Sequence, residues 1–182
     1  MRKAQKTMAV IPEARLAYLN VWEPKRIVNG TRKYSAEIIF PESDTATLKR
    51  IEGAIAAAKE EYGNRIPEED RDNVTLVSPL KRGNVERPND PDYADMYSMR
   101  ASSVNPPGVV YTTFKPIINR AEIYSGITAK VSVSFYVYAK SEKDGKPVQG
   151  IACCLRNIMK LRDGKPMGRR DTPEDDFAED ME

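Results

Sequence analysis

The chain has 182 residues, with 29 Lys and Arg against 27 Asp and Glu, two cysteines and no histidine. That length suits one domain, or one domain with tails, large enough to bury a core without disulfides. The missing histidine excludes imidazole acid–base catalysis and His-ligated metals, and two cysteines cannot build a four-thiolate site. No apolar run approaches the roughly 18 residues of a membrane span, and the basic start lacks the apolar core of a secretory signal. The expectation is a cytoplasmic protein that uses no cofactor. Charge is unevenly placed: residues 171–182 hold seven acids and no base, which leaves 29 bases against 20 acids over residues 1–170. A body of net +9 with an appendage of −7 is the pattern of a polyanion-binding domain carrying an acidic tail.

In chain order, residues 1–13 carry Arg2, Lys3 and Lys6 without a clear period and are expected to be a mobile basic arm. Arg15–Trp22 alternates Leu16, Tyr18 and Asn20 against Ala17, Leu19 and Val21, a strand that is fairly apolar on both faces. Pro24 and the Asn29–Gly30 dipeptide mark a turn, flanked by Lys25, Arg26, Arg32 and Lys33. Lys33–Phe40 resumes as a strand with Tyr34, Ala36, Ile38 and Phe40 on one face. Pro41–Tyr62 is a helix: Ser43 or Asp44 can cap it, Leu48, Ile51, Ile55 and Ala58 recur at helical spacing, and Gly63 stops it. Its charged face reads as solvated surface.

Residues 64–73 are polar and loop-like, Val74–Val77 is a short strand, and Ser78–Pro91 is rich in turn residues. Met96–Ala101 and Val109–Phe114 are β-rich, separated by a Pro–Pro–Gly turn. Thr128–Lys140 gives the clearest signal of all. Val131, Val133, Phe135, Val137 and Ala139 fall on one face, and Lys130, Ser132, Ser134, Tyr136, Tyr138 and Lys140 on the other. Gly150–Leu161 completes a β-hairpin across a long polar loop. Cys153 and Cys154, being strand neighbours, point to opposite faces and are poor partners for one another. Six or seven strands with one inserted helix, and no βαβ repetition, predict a mainly β antiparallel barrel. The expected division is an arm over 1–13, a barrel domain over 14–170 and an acidic tail over 171–182.

The C-terminal third then resembles a known group. The runs EIYSG (122–126), TAKVSVSFYVYA (128–139), GIACCLRNIMKLRDG (150–164) and KPMGRR (165–170), followed by the acidic DDF (175–177), are similar to bacteriophage single-stranded-DNA-binding proteins. Those have an OB fold and are distant cousins of the replication proteins of short-tailed coliphages. KYSAEIIFPESDTATLKRIEGAI (33–55) and SPLKRGN (78–84) agree with the group's second strand, first helix and middle loop. The resemblance spans roughly Arg15 to Phe177. It implies an OB barrel with no catalysis, and sequence-tolerant binding of single-stranded DNA in phage replication, recombination or repair. It also implies a homodimer, and a tail that contacts a polymerase, helicase or primase. Here Phe177 is followed by five more residues, whereas relatives of this kind end on or near an aromatic.

Single-strand binding needs cations for the phosphates and flat side chains for the bases. The expected contacts are Lys25, Arg26, Arg32 and Lys33 around the first turn, and Lys81 and Arg82 in the middle loop. Lys130 and Lys140 belong to the long strand, with Arg162 and Lys165 after the last one; Tyr136 and Tyr138 are the stacking platforms. An outward barrel face is polar in any case, so both tyrosines read equally as base platforms or as ordinary strand residues. Trp22 reads as core rather than as a base contact. The regulatory tail is expected to work through Asp175, Asp176, Phe177, Glu179 and Asp180. Two other readings stand beside this one: an accessory protein acting only through protein contacts, and a single-stranded RNA binder. A nuclease is the weakest rival, because the chain has no histidine and no recognisable acidic metal motif.

Overall fold

The computed structural model describes residues 5–27, 30–63, 76–143 and 146–167, with side chains throughout except over 139–149. Eight strands among these residues form one sheet. They are β1 (Met8–Arg26), β2 (Arg32–Pro41), β3 (Leu76–Val77), β4 (Leu80–Arg82), β5 (Met96–Ser103), β6 (Gly108–Val110), β7 (Thr128–Lys143) and β8 (Lys146–Arg162). Strands β1, β2 and β5 are successively antiparallel, as are β8, β7 and β1. A parallel bridge between Ser102 of β5 and Cys154 of β8 closes the ring. This is the closed five-stranded barrel of the OB fold, as the resemblance implied.

The barrel closes because β1 bends. Its first half pairs with β7 and its second half with β2. The register shifts between Ile11 and Ala14, around Pro12, and between Asn20 and Lys25, around Pro24. Proline has no N–H for the ladder, so it settles at such irregularities. A third shift, between Ala17 and Asn20, places Tyr18 at φ 47°. This bulge breaks the alternation read from the sequence. Leu16 and Val21 enter the barrel core, Ala17 joins a second cluster outside the barrel, and Tyr18 turns to solvent.

Two further expectations change. Residues 8–13 are not an arm: they are the start of β1, with Ala9 and Ile11 buried in the core. The β7–β8 hairpin has no long loop, since pairing continues out to Lys143 opposite Lys146.

The core is the inward face of every barrel strand. It takes Ala36, Ile38 and Phe40 from β2, Val131, Val133 and Phe135 from β7, and Ile151, Cys153 and Leu155 from β8. Helix α1 (Thr45–Gly63) lies over β7 and β1. Asp44 caps it, accepting from the Thr47 N–H at 3.2 Å and from the Thr47 hydroxyl at 2.7 Å. Its buried stripe is Thr47, Ile51, Ala54, Ile55 and Ala58. Each isoleucine there contributes about 1.5–3 kcal/mol by leaving water. Trp22 packs against this core, as read.

Outside the barrel, Ala17, Ile39 and Tyr93 form the second small cluster, with Met96 and Met167 against it. The segment carrying Tyr93 includes a one-turn helix α2 (Gly83–Glu86) and is threaded closely. A Cβ on Gly83 would come within 2.0 Å of the Tyr93 carbonyl oxygen. No helix among the described residues is long and apolar enough to cross a membrane. The acidic tail and the cations Arg169 and Arg170 lie outside the described residues.

Candidate functional site

The outward faces of β2, β5, β8 and β7 meet under the segment that carries β3 and β4. Between them runs a cleft of about 830 Å³. Period-two alternation decides what it displays. On β5, Tyr97, Met99 and Ala101 turn toward the core while Ser98, Arg100 and Ser102 face the cleft. On β7, Val133 and Phe135 turn inward while Tyr136 and Tyr138 face it. The β1–β2 hairpin contributes Ile27 and Lys33, and the crossing segment contributes Val77 and Lys81.

The two tyrosines are differently held. Tyr136 stands opposite Ala152 and is 46% exposed. Partial burial, then Cys154, Tyr138 and Cys153 nearby, push its phenol above the ordinary value, so its ring stays uncharged. Tyr138 stands opposite Gly150, and its ring fills the place where that residue has no side chain. A Cβ built on Gly150 would lie 2.6 Å from the Tyr138 hydroxyl oxygen, 2.8 Å from Cζ and 2.9 Å from Cε1. The glycine thus lets the ring settle across β8, which fixes a flat surface at the cleft wall.

Cations line the same space. The Arg100 guanidinium donates to the Ser35 hydroxyl at 2.9 Å, which aims it across β2. Lys33 is half-buried, and the Lys81 ammonium is exposed with Glu86 at 3.8 Å. One acid is present, Glu37, whose carboxylate accepts from the Tyr93 hydroxyl at 2.6 Å and lies 3.8 Å from the Arg87 guanidinium. Burial first, and then the bond to Glu37, hold the Tyr93 phenol far above its ordinary value.

Of the residues expected from sequence, Lys33, Lys81, Tyr136 and Tyr138 line this cleft. Lys25 and Arg26 are exposed on the hairpin end beside it, paired across the ladder with Lys33 and Arg32. Arg82 follows Lys81 on the strand and so faces the other way. Its guanidinium grips Glu42 through two bonds of 3.1 and 3.3 Å, which raises its pKa. Lys130 and Arg162 belong to the far end of the β7–β8 hairpin, and Lys165 follows just past it. Arg162 is opposite Thr128, ten positions from Tyr138, which is about 34 Å of extended strand. Arg162 is also bonded to Glu13, and the carbonyl of Lys165 accepts from Arg15 at 2.8 Å. The Lys140 side chain, and Asp175, Asp176, Phe177, Glu179 and Asp180, lie outside what is described. The sequence reading missed Arg100 and Glu37. Both were within reach of strict alternation along β5 and β2, since each sits between residues that enter the core.

Cys153 is buried, and its apolar surroundings push the thiol pKa up, so it is an inert core residue; Cys154 is on the outer face. No group of three or more Cys, Asp or Glu suited to a metal ion occurs among the described residues.

Comparison with known proteins agrees with this architecture. No curated protein is significantly similar in sequence. Among solved structures, the single-stranded DNA-binding protein from bacteriophage Enc34 in complex with ssDNA superposes with a TM-score of 0.69 at 20% identity, covering 91% of this chain and 96% of that one. A second structure of the bacteriophage Enc34 single-stranded DNA-binding protein gives 0.68 at 18% identity, over 97% and 96% of the two chains. The single-stranded DNA-binding protein gp2.5 encoded by bacteriophage T7 gives 0.60 at 12% identity, over 93% and 100%. These likenesses establish the fold. A family profile described as the Enterobacter phage Enc34 ssDNA-binding protein matches residues 7–182, nearly the whole chain. The chain belongs to the Enc34 family of phage ssDNA-binding proteins, a family of binders rather than enzymes.

Proposed function

We propose that this protein binds single-stranded DNA without sequence preference, along the cleft crossed by the segment carrying β3 and β4. The observation that carries the reading is the meeting of Tyr136 and Tyr138 with Lys33, Lys81 and Arg100 in one groove of an OB barrel. Each stacked base adds about 1–3 kcal/mol whatever its identity. Each phosphate neutralised adds sequence-independent affinity by releasing counterions. Lys25, Arg26 and Arg32 extend the cationic rim, while Lys130, Lys140, Arg162 and Lys165 lie along the hairpin for a longer strand. An Enc34 relative of the same fold was solved in complex with ssDNA, which supports the reading.

The acidic tail is part of the proposal. Met167 packs beside Tyr93, whose hydroxyl bonds the cleft residue Glu37. Met167, the last described residue before the tail, therefore stands near the groove. Twelve residues reach about 40 Å when extended, and tethering gives them a high effective concentration. The tail competes with DNA for the basic groove and, once displaced, offers Phe177 and its acidic neighbours to a polymerase, helicase or primase. The protein acts as a homodimer in the host cytoplasm, in replication, recombination and repair.

The test is a fluorescence titration with a dT oligomer of about 30 nucleotides, against matched duplex and RNA, over a salt series. Tight single-strand binding, with log affinity falling by about 0.7 per phosphate contact per log salt, supports the groove. Preference for RNA would move the substrate class. Absence of binding, with and without the tail, would leave the basic body to a protein partner.

A further inference from the structure

Tyr18 is an anomaly in β1. It takes φ 47° at a bulge, a conformation costly to any residue with a Cβ and natural to glycine. The residue is 51% exposed. Yet the ring does not swing free. The Arg87 guanidinium lies 5.1 Å from its centroid and donates to its hydroxyl at 2.9 Å. Arg87 is itself seated 4.6 Å over the ring of buried Tyr93. The result is a flat, half-exposed aromatic braced from below, next to an open hollow of about 430 Å³ along Arg87–Pro91.

This assembly touches the cleft. Glu37, a cleft residue, pairs across the ladder with Ala17, the neighbour of Tyr18, and lies 3.8 Å from Arg87. Glu37 balances the Arg87 charge, and Arg15 at 3.4 Å balances Asp92. What the site offers is therefore a stacking surface, not net positive charge. We propose that Tyr18 is a further stacking platform for an unpaired nucleobase, separate from Tyr136 and Tyr138, reached by a strand that leaves the cleft across Glu37. The proposal rests on the single-strand-binding reading above and extends its path over β1. The bulge exists to present the ring, and Arg87 to hold it.

The test compares wild-type, Tyr18→Gly and Tyr18→Phe proteins by anisotropy with dT oligomers of about 30 nucleotides at several salt concentrations. Oligomers carrying 5-iodouracil are photocrosslinked to the wild type in parallel, and the adducts are mapped by mass spectrometry. Tyr18→Gly should bind about 5- to 100-fold more weakly, the loss of one stacked base. Its salt slope should not change, and its melting temperature should be equal or higher, because glycine suits the backbone. Tyr18→Phe should stay within about threefold of wild type, since the ring carries the stacking. A cross-link should map to residue 18. Wild-type affinity in Tyr18→Gly without that cross-link overturns the platform while leaving the cleft intact. Equal losses in the Phe and Gly variants overturn it in favour of the hydroxyl as a structural brace. If Tyr18→Gly is both weaker and less stable, the cross-link decides: its presence supports the platform, its absence overturns it. Failure of the wild type to bind any single strand removes this proposal together with the reading beneath it.

Discussion

Gly150→Ala tests whether the cleft works by holding Tyr138 in place. The added methyl would sit 2.6, 2.8 and 2.9 Å from the hydroxyl oxygen, Cζ and Cε1 of that ring. Ordinary carbon contacts lie near 3.5–4.0 Å, so the ring must retreat by about 1 Å. Alanine gains about 0.5–1 kcal/mol over glycine in a strand, and a side chain pushed off its rotamer loses about 0.5–1.5 kcal/mol. Those effects nearly cancel, so the melting temperature should hardly move. Binding should suffer, because the platform is displaced without being removed. Complete loss of one stack is worth about 1–3 kcal/mol, and Tyr138→Ala sets that limit. Gly150→Ala should fall between it and wild type, about 3- to 30-fold weaker, or roughly 0.7–2 kcal/mol. Anisotropy with a dT oligomer of about 30 nucleotides measures this, and the salt slope should not change because no charge is altered. Wild-type affinity in Gly150→Ala, with Tyr138→Ala clearly weakened, would refute the argument that the glycine fixes the ring. Wild-type affinity in Tyr138→Ala as well would refute the platform itself.

Other consequences can be checked on the same protein. Lys33→Gln, Lys81→Gln and Arg100→Gln should each weaken binding to every single-stranded sequence and reduce the salt slope by about 0.7 if each meets one phosphate. Arg82→Gln should not, because its guanidinium is occupied by Glu42. Removing residues 171–182 should strengthen binding at low salt and make little difference at high salt; equal affinity at low salt would end the competition idea. Ile11→Ala should cost about 2–5 kcal/mol in denaturant unfolding, which a residue in a mobile arm could not. Tyr93→Phe should cost about 1.5–3 kcal/mol through the lost bond to the Glu37 carboxylate. The Tyr93 phenol titrates above its ordinary value of 10.0 in the fold. Its contribution is therefore complete below about pH 10 and fades as pH climbs beyond it. The Phe variant should lose less stability than wild type over that alkaline range.

The barrel was legible wherever one period held along a strand. Val131, Val133 and Phe135, and Ala36, Ile38 and Phe40, lie in the core as alternation required. The helix was legible from its Asp44 cap and apolar stripe. Reading failed where the ladder is irregular. Between Arg15 and Trp22 the bulge at Tyr18 inserts a step into the period, so a face assigned by counting is wrong beyond it. Residues 8–13 look featureless because Pro12 interrupts both pattern and pairing. The strand they form is held by long-range pairing with β7, which local periodicity does not encode.

The site shows the same division more sharply. Tyr136 and Tyr138 could be placed on one face because a single strand displays both, and Lys33 and Lys81 stood out because basic runs flank turns; all four line the cleft. Which member of a basic run matters is set by the partner it meets across the fold. Lys81 and Arg82 are neighbours in sequence, but one step of a strand sends the first into the cleft and the second to Glu42, forty residues away. Arg100 belongs to no basic run and stands alone among small and apolar residues, so its one local signal is the alternation along β5. It joins the cleft only when β5 is laid between β2 and β8. Gly150 is the clearest case. As a letter it suggests a strand boundary, yet in the fold it is the gap into which Tyr138 fits. A cleft assembled from six strands is thus encoded in pairings, and single-residue chemistry becomes readable only after the register is known.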